Sequence, residues 1–243
     1  MCSTMSLLVN ATKVLIDTLV EALFPRTTEE TELRALSPEL AVALLPQAPT
    51  YGMTVAALPG TRSVFAYKDP RIARLVKLVK ERRDMHALSI AGHALATVIN
   101  RELTCNDGCP LILIPIPITA RRRRERGFNQ CELMAEAVVK AMTTKSGGVN
   151  DGVKVAVKYN LLTRARSGLS AQKLKNRDER LDDVGGIFQI GDEASVSDWC
   201  AQNLNSKTIV IDDVLTTGST MKAAIDVLHA AGFTDVRGLT LAH

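Results

Sequence analysis

An apolar strand that ends in two acids and leads into a threonine-rich turn constrains this chain most. Residues 208–221 read TIVIDDVLTTGSTM. The apolar run predicts a buried strand, and residues 219–231, stopped by Gly232, predict the helix that the turn opens. Unpaired backbone N–H groups and the helix dipole favour an anion at such a helix start. The segment therefore predicts a phosphate site at the carboxyl end of a strand.

The turn and the acidic pair before it have different chemistry. Hydroxyl donors surround the expected anion, and Gly218 lets the backbone approach it closely. Asp212 and Asp213 would repel a phosphate unless they served sugar hydroxyls or a cation, and Mg²⁺ prefers a few carboxylates together with substrate oxygens and water. The alternative is a capped helix after an ordinary strand, which makes the whole pattern accidental. The turn residues are Thr216, Thr217, Gly218, Ser219 and Thr220.

A second strand is followed by a run of arginines. The stretch LILIPIPI at 111–118 predicts a buried strand, and Asn129, with Glu132 three residues later, predicts the cap of the next helix. The arginine-rich turn between them follows the carboxyl end of a strand, where ligands of open α/β sheets bind. A solvated charge run or a localisation tract is the alternative, and outward-pointing arginines could meet single-stranded nucleic acid.

These two segments resemble a known family. IVIDDVLTTGST is similar to the motif of type I phosphoribosyltransferases that binds phosphoribosyl pyrophosphate (PRPP), and IPIPITARRRRERGFNQ at 114–130 resembles the signature of the competence-associated ComF (GntX-like) family. Further blocks of the resemblance include Tyr67 with the basic helix after it, and GGIF at 185–188. The resemblance covers residues 63–243. ComF proteins commonly begin with a cysteine-rich zinc module, whereas this N-terminus offers only Cys2, so no structural zinc is expected.

The resemblance implies a role for each group of residues. Asp212 and Asp213 contact the ribose hydroxyls and hold Mg²⁺, directly or through water, and the turn wraps the 5-phosphate. With Arg126 they form the catalytic set. Pyrophosphate is bound by Arg121, Arg122, Arg126 and Gly127. A mobile cationic loop, for which an exposed basic linker is the alternative, contains Arg164, Arg166, Gln172 and Arg180.

The implied reaction displaces pyrophosphate from C1 of PRPP by a nitrogen nucleophile, with Mg²⁺ as cofactor. Similar enzymes that salvage 6-oxopurines place aspartate where this chain has Thr216, which argues against hypoxanthine or guanine as acceptor. The acceptor stays unidentified. The alternative function is a non-catalytic protein that binds PRPP or nucleotides, or that handles single-stranded DNA with the competence machinery.

Alternating strands and helices predict a Rossmann-like, open and mostly parallel sheet flanked by helices. A helical segment at 1–50 precedes a domain at 51–243, made of a hairpin and helices (51–108) and the PRPP-binding core (109–243). The hairpin joins 54–57 to 63–67 through Pro59-Gly60. Helices are expected after Asp69-Pro70, with a basic face that is either solvated or ligand-binding, and over 85–103. Further strands are expected at 153–161, 207–211 and 236–241.

Composition fits a globular protein that stays in the cytoplasm. The 243 residues are 46% hydrophobic, and the net charge of +4 suits an anionic small molecule without predicting nucleic-acid binding. Five cysteines without CxxC spacing fit reduced thiols. The apolar N-terminus lacks a basic start and is interrupted by Asp17 and Glu21, so neither a signal peptide nor a membrane segment is expected. The oligomeric state is open, with a homodimer among the alternatives.

Overall fold

The structure, a computed structural model, describes residues 26–48, 58, 60–103, 110–143, 155–165, 187–191, 203 and 206–243. Its strands there are β1 (Thr61–Phe65), β2 (Leu111–Pro115), β3 (Val155–Val157), β4 (Leu162–Arg164), β5 (Phe188–Ile190), β6 (Lys207–Val214) and β7 (Asp235–Ala242). The helices are α1 (Thr28–Ala35), α2 (Pro38–Leu44), α3 (Pro70–Lys77), α4 (Met85–Val98), α5 (Ala120–Arg126), α6 (Gln130–Thr143) and α7 (Ser219–Ala230). Two π-helical turns, Leu78–Arg82 and Ile99–Leu103, continue α3 and α4.

Five strands form one parallel sheet in the order β1-β7-β6-β2-β3. All five residues of β2 are buried, which requires that both faces of the sheet are covered. Strand β6 is central and pairs with β2 on one side and β7 on the other, so its carboxyl end lies in the middle of one sheet edge. The predicted open parallel sheet flanked by helices is confirmed. Strands β4 and β5 form a separate antiparallel pair.

Helices pack closely on this sheet. Helix α4 crosses α6 at Gly92, where an added Cβ atom would come within 2.6 Å of the Ala137 carbonyl group. Helix α7 packs on β6 and β7, and its Met221 lies against Gly238 of β7. The buried side of α6, which includes Met134 and Val138, belongs to the same core as the sheet. No helix in the described ranges has the length and apolarity needed to cross a bilayer.

The described part of the N-terminal segment, which was expected to be helical, contains the two helices α1 and α2. In its described part, the break falls at Leu36 and Ser37, and the Ser37 hydroxyl caps α2 by accepting from the Leu40 N–H at 3.3 Å. Pro38 then stands at the first helical position, where proline is tolerated. Both helices contribute to the common core, with Leu33 and Ala41 fully buried. Residues 1–25 lie outside the described part.

Strand β1 is not described as half of a hairpin. The expected partner at 54–57 lies outside the described residues, and β1 pairs in parallel with β7 at the edge of the sheet. Gln47 also makes an antiparallel bridge to Phe65. The buried Val64 and Phe65 anchor the strand in the core. The pairing thus joins the first and the last strand of the sheet in chain order.

Other predictions are confirmed with changed boundaries. Helices α3 and α4 occupy the expected positions, and the Asp69 carboxylate accepts from the Arg71 N–H at 2.8 Å as the predicted cap. The expected strand at 153–161 is only Val155–Val157 within the described residues, whereas that at 207–211 continues to Val214. The prediction of a turn for the arginine-rich segment was wrong. The segment is helix α5, because Thr119 caps it and arginine is a good helix former.

Candidate functional site

Asp212 and Asp213 occupy the carboxyl end of the central strand β6. Asp213 is 7% exposed, and Asp212 is partly buried. Each carboxylate accepts a backbone hydrogen bond from the next residue: Asp213 N–H donates to Asp212 Oδ1 at 2.8 Å and Val214 N–H to Asp213 Oδ1 at 2.9 Å. These bonds fix both side chains against the strand. Two acids are therefore held side by side at the edge of the sheet where ligands of parallel sheets bind.

Side chains from two other elements hold the Asp213 carboxylate. Gln130, the first residue of α6, donates from Nε2 to Asp213 Oδ2 at 3.2 Å, and Lys80 of the first π-helical turn places Nζ 3.4 Å from the same oxygen. Arg126 donates from Nη1 to the Gln130 Oε1 at 3.1 Å. One hydrogen-bonded relay thus connects Arg126, through Gln130, to the acidic pair.

Asp212 has a different neighbour, the buried thiol of Cys131, which donates to Oδ1 with Sγ at 3.4 Å. Burial, together with the charge of Asp213, raises the pKa of Asp212 to about 7. Burial and the charges of both carboxylates raise the pKa of Cys131, so this thiol stays protonated and keeps its donor hydrogen. Burial and the neighbouring carboxylate thus both favour the protonated form of Asp212 in the absence of a bound cation.

A divalent cation would offset the repulsion between the two carboxylates. Adjacent carboxylates suit Mg²⁺, which binds through one or two carboxylates and completes its shell with phosphate oxygens and water. Among the described residues no group of three or more histidine, cysteine, aspartate or glutamate side chains could hold a metal ion. Asp212 and Asp213 would therefore have to share such a cation with a ligand.

The turn after the acids is open to solvent. Leu215 is buried and anchored by its N–H to the Ala242 carbonyl oxygen at 2.9 Å, whereas Thr216, Thr217 and Ser219 are exposed. The Thr217 hydroxyl accepts from the Ser219 N–H at 3.4 Å and lies 3.0 Å from the Ser219 hydroxyl. These donors surround the start of the twelve-residue helix α7. Thr220, also expected at this site, is partly buried in the first turn of the helix.

Gly218 makes this turn possible. Its φ angle of 78° lies in the left-handed region, where a side chain costs roughly 1–2 kcal/mol. Gly218 is also buried, so the chain is packed tightly at this point. Its carbonyl oxygen accepts from the Lys222 N–H at 2.8 Å, which starts the hydrogen-bonding pattern of α7. The turn thus has a defined backbone shape at the start of α7.

The arginines of α5 separate into two groups. Arg126 is half-buried and joined to Gln130, whereas Arg121 is 83% exposed and paired with Glu125 at 2.7 Å. Arg123 pairs with Glu132 at 2.7 Å. Arg122 is exposed, and Gly127 ends the helix. Only Arg126, among these arginines, is linked directly to the residues that hold the acidic pair in the described structure.

Arg164 of β4 is brought to the same region. Its Nε donates to the Pro117 carbonyl oxygen at 3.0 Å, and its guanidinium stacks over Phe188 at 5.2 Å from the ring centre. Burial and the charge of Arg122 lower the pKa of Arg164, while the charge of Asp212 opposes that change. The arginine therefore lies within electrostatic reach of both. Three further residues of the expected cationic loop, Arg166, Gln172 and Arg180, lie outside the described residues.

A cavity of about 1040 Å³ adjoins the start of the turn. Its walls are α3 with the following π-helical turn, the segment after β1, and the segment at 214–216. The residues on these walls combine an apolar base with charged groups. They are Thr27, Glu29, Ala66, Tyr67, Lys68, Pro70, Ala73, Arg74, Val76, Lys77, Lys80, Glu81, Val214, Leu215, Thr216 and His243.

Three site residues were missed by sequence reasoning. Gln130 was noted only as the last letter of a motif, and Cys131 only as a reduced thiol. Lys80 was assigned to the basic face of α3 with no role at the acids. A signal existed for Gln130 and Cys131, because they begin the helix that follows an arginine-rich segment on the ligand-binding edge. None existed for Lys80, whose direction is set by the π-helical turn.

The comparisons with known proteins are limited to fold. No family model and no curated protein matches the chain. A hypoxanthine phosphoribosyltransferase from Staphylococcus aureus is similar at 13% identity and a TM-score of 0.34, covering 63% of this chain and 61% of that chain. An allosteric regulatory enzyme of purine biosynthesis is similar at 12% identity and a TM-score of 0.36, and the match covers 68% of this chain and 30% of that chain.

A third solved structure comes from an analysis of an invariant aspartic acid in HPRTs, as a glutamic acid mutant. It is 9% identical, with a TM-score of 0.33, and the match covers 69% of this chain and 67% of that chain. This chain therefore spans about three fifths of the first of these structures and less than a third of the second. Similarities at this level bear on neither the site nor the reaction.

Proposed function

We propose that this chain is a Mg²⁺-dependent, PRPP-binding protein of the phosphoribosyltransferase type, which transfers the phosphoribosyl group to a nitrogenous acceptor and releases pyrophosphate. One observation carries the proposal: two fixed carboxylates directly precede an open turn of hydroxyl and amide donors at a helix start. A phosphate with a neighbouring diol needs this combination, because the anion requires donors and the diol requires acceptors.

The binding role of each part follows from its donors and acceptors. The 5-phosphate accepts hydrogen bonds from the turn at 216–220. The ribose hydroxyls donate to Asp212 and Asp213, whose side chains are already fixed by backbone hydrogen bonds. Hydrogen bonds to charged partners contribute roughly 1.5–3 kcal/mol each, so a few of them give micromolar affinity after the cost of association.

The leaving group requires positive charge. Arg126 is linked to the acidic pair through Gln130, and Arg164 lies within electrostatic reach of Asp212 and Arg122. Together with Arg121 and Gly127, Arg122 and Arg126 form the proposed pyrophosphate site. When the C1–O bond breaks, its electrons stay on pyrophosphate, and fixed guanidinium groups stabilise that charge. Bound Mg²⁺, held by Asp212 and Asp213, would supply further polarisation of the phosphate oxygens. The resemblance to ComF proteins agrees with this assignment.

Calorimetry on variants tests the proposal. The double substitution Asp212→Asn with Asp213→Asn removes both negative charges and should weaken Mg²⁺-PRPP binding at least about a hundredfold, since two charged contacts are lost. Asp226→Asn is the matched control, because Asp226 is half-exposed and forms an ion pair with Lys222 one turn earlier in α7. Unchanged affinity in the double variant would remove the roles given to the acids.

A second candidate function is supported by the exposed side of α5. Arg121, Arg122 and Arg124 face solvent and form a positive surface beside the site. A protein that binds PRPP and handles single-stranded DNA would use such a surface. Acceptor-dependent pyrophosphate release favours the enzyme. Tight PRPP binding without release, together with salt-sensitive DNA binding that depends on these arginines, favours the second function.

A further inference from the structure

The cavity beside the turn adjoins the proposed sugar-phosphate site. Val214, Leu215 and Thr216 line it, and the same segment joins the acidic pair to the phosphate turn. Lys80 belongs to both places, since it lines the cavity and places Nζ 3.4 Å from Asp213. A molecule in this cavity would therefore lie beside the ribose of a bound PRPP.

The base of the cavity suits a flat ring. Ala66, Ala73, Val76 and Leu215 supply small or apolar surface, and Tyr67 is a large aromatic side chain left 43% exposed. The backbone of Tyr67 is held at this wall, because its N–H donates to the His243 carbonyl oxygen at 2.8 Å. An exposed aromatic side chain on the wall of a cavity provides a stacking surface for a planar ligand.

The charges on the cavity wall favour an anion. Its cations are Lys68, Arg74, Lys77 and Lys80, and its acids are Glu29 and Glu81. Arg74 is bound to the buried Glu30, and Lys80 is held by Asp213.

Lys68 and Lys77 remain available. Lys68 has no ion-pair partner within the described residues. Lys77 lies 4.0 Å from Glu81 with both side chains more than half exposed, and such a pair is weak. Glu29, the other acid on the wall, is near the Arg74 charge and accepts a hydrogen bond within its own helix start. The cavity wall thus carries four cations and two acids, and Lys68 and Lys77 are the two of these cations that are not held by a buried acid in the described structure.

We propose that this cavity is the acceptor site, that it takes a planar nitrogen compound carrying a carboxylate, and that Lys68 and Lys77 select for that negative charge. The inference rests on the proposed function and adds the class of acceptor. The acceptor nitrogen forms the new bond to C1 with its lone pair, the C1–O bond breaks with its electrons leaving on pyrophosphate, and any proton on that nitrogen passes to water.

Matched pairs of charged and neutral rings test the inference. Orotate with uracil, nicotinate with nicotinamide, and anthranilate with aniline are titrated into the full chain with PRPP and Mg²⁺, and both binding and pyrophosphate release are measured. At least one carboxylated ring should bind roughly tenfold or more tightly than its neutral partner, about the effect of one good charge contact. Pyrophosphate release should follow the same order.

Variants assign the preference to the two lysines. Lys68→Met with Lys77→Met should reduce the preference to about threefold or less, equivalent to the loss of that contact, while PRPP affinity is unchanged. Arg237→Gln is the control, because it removes one half-exposed cation near the opposite end of β7.

Two results overturn the inference while leaving the proposed function intact. One is PRPP binding without binding of any carboxylated ring, or with equal or tighter binding of the neutral rings. The other is a preference that survives in the double lysine variant. Failure of PRPP itself to bind is a separate result, which overturns the proposed function.

Discussion

The burial of Asp212 beside a second carboxylate should make the stability of the ligand-free protein depend on pH through Asp212. The native pKa of about 7 lies above that of an unfolded aspartate, so the native state holds this proton more tightly than the unfolded chain. The resulting stabilisation is complete below the unfolded pKa, near 4, and is lost as pH rises through about 7. Asp212→Asn removes the titrating group and with it this loss.

The size of the effect follows from the same shift. One proton difference changes the free energy of unfolding by about 1.4 kcal/mol per pH unit, so the wild type should lose about 2 kcal/mol between pH 5 and pH 7 through this group. For a chain of this size that is roughly 4–8 °C in Tm. Titrating groups away from the acidic pair act equally in both proteins, so the difference between wild type and Asp212→Asn isolates the effect of Asp212 and of its coupling to Asp213 and Cys131.

Thermal unfolding of the two proteins without divalent cations, at several pH values across this range, measures that difference. Added Mg²⁺ should flatten the pH dependence of the wild type, because a bound cation offsets the repulsion between the two carboxylates. If the unfolding temperatures of wild type and variant changed in parallel with pH, the raised native pKa of Asp212 would be refuted.

Two further predictions concern stability. Gly92→Ala should lower the free energy of unfolding, measured by urea denaturation, by about 1–3 kcal/mol, because the added Cβ would meet the Ala137 carbonyl group at 2.6 Å. Helix propensity alone would instead raise it by about 1 kcal/mol, and that result would contradict the close contact between the helices. Arg74→Met should cost about 3 kcal/mol in the same assay, because it strips the buried Glu30 of its hydrogen-bonding partner, and adding Glu30→Gln should recover part of that loss. A loss of less than about 1 kcal/mol in the free energy of unfolding of Arg74→Met would contradict this dependence of Glu30 on Arg74.

The acidic pair and the turn could be predicted from sequence because they are local. Asp212 and Gly218 lie within one strand-turn-helix unit, whose elements are decided by the local sequence. The open parallel sheet could be predicted for a similar reason, since continuous burial of β2 and the alternation of strands and helices are written in the apolar pattern. Helix α5 could also have been predicted, from its Thr119 cap and the helix propensity of arginine.

The remaining parts of the site depend on tertiary contacts that no local pattern contains. Gln130 reaches Asp213 across 83 positions in the chain, and Lys80 reaches it from a π-helical turn whose geometry shifts the direction of side chains. The pairing of β1 with β7 likewise depends on register between strands at opposite ends of the described fold. A buried pair such as Glu30 with Arg74 cannot be separated from ordinary surface charge until both partners are placed.

The central claim is that the turn after the acidic pair binds the 5-phosphate of PRPP. A crystal structure of the chain with saturating PRPP and Mg²⁺ measures this directly. The account predicts phosphate oxygens about 2.7–3.2 Å from backbone nitrogens of residues 217–220, with the ribose hydroxyls at Asp212 and Asp213. PRPP bound elsewhere, with the turn empty, would contradict it.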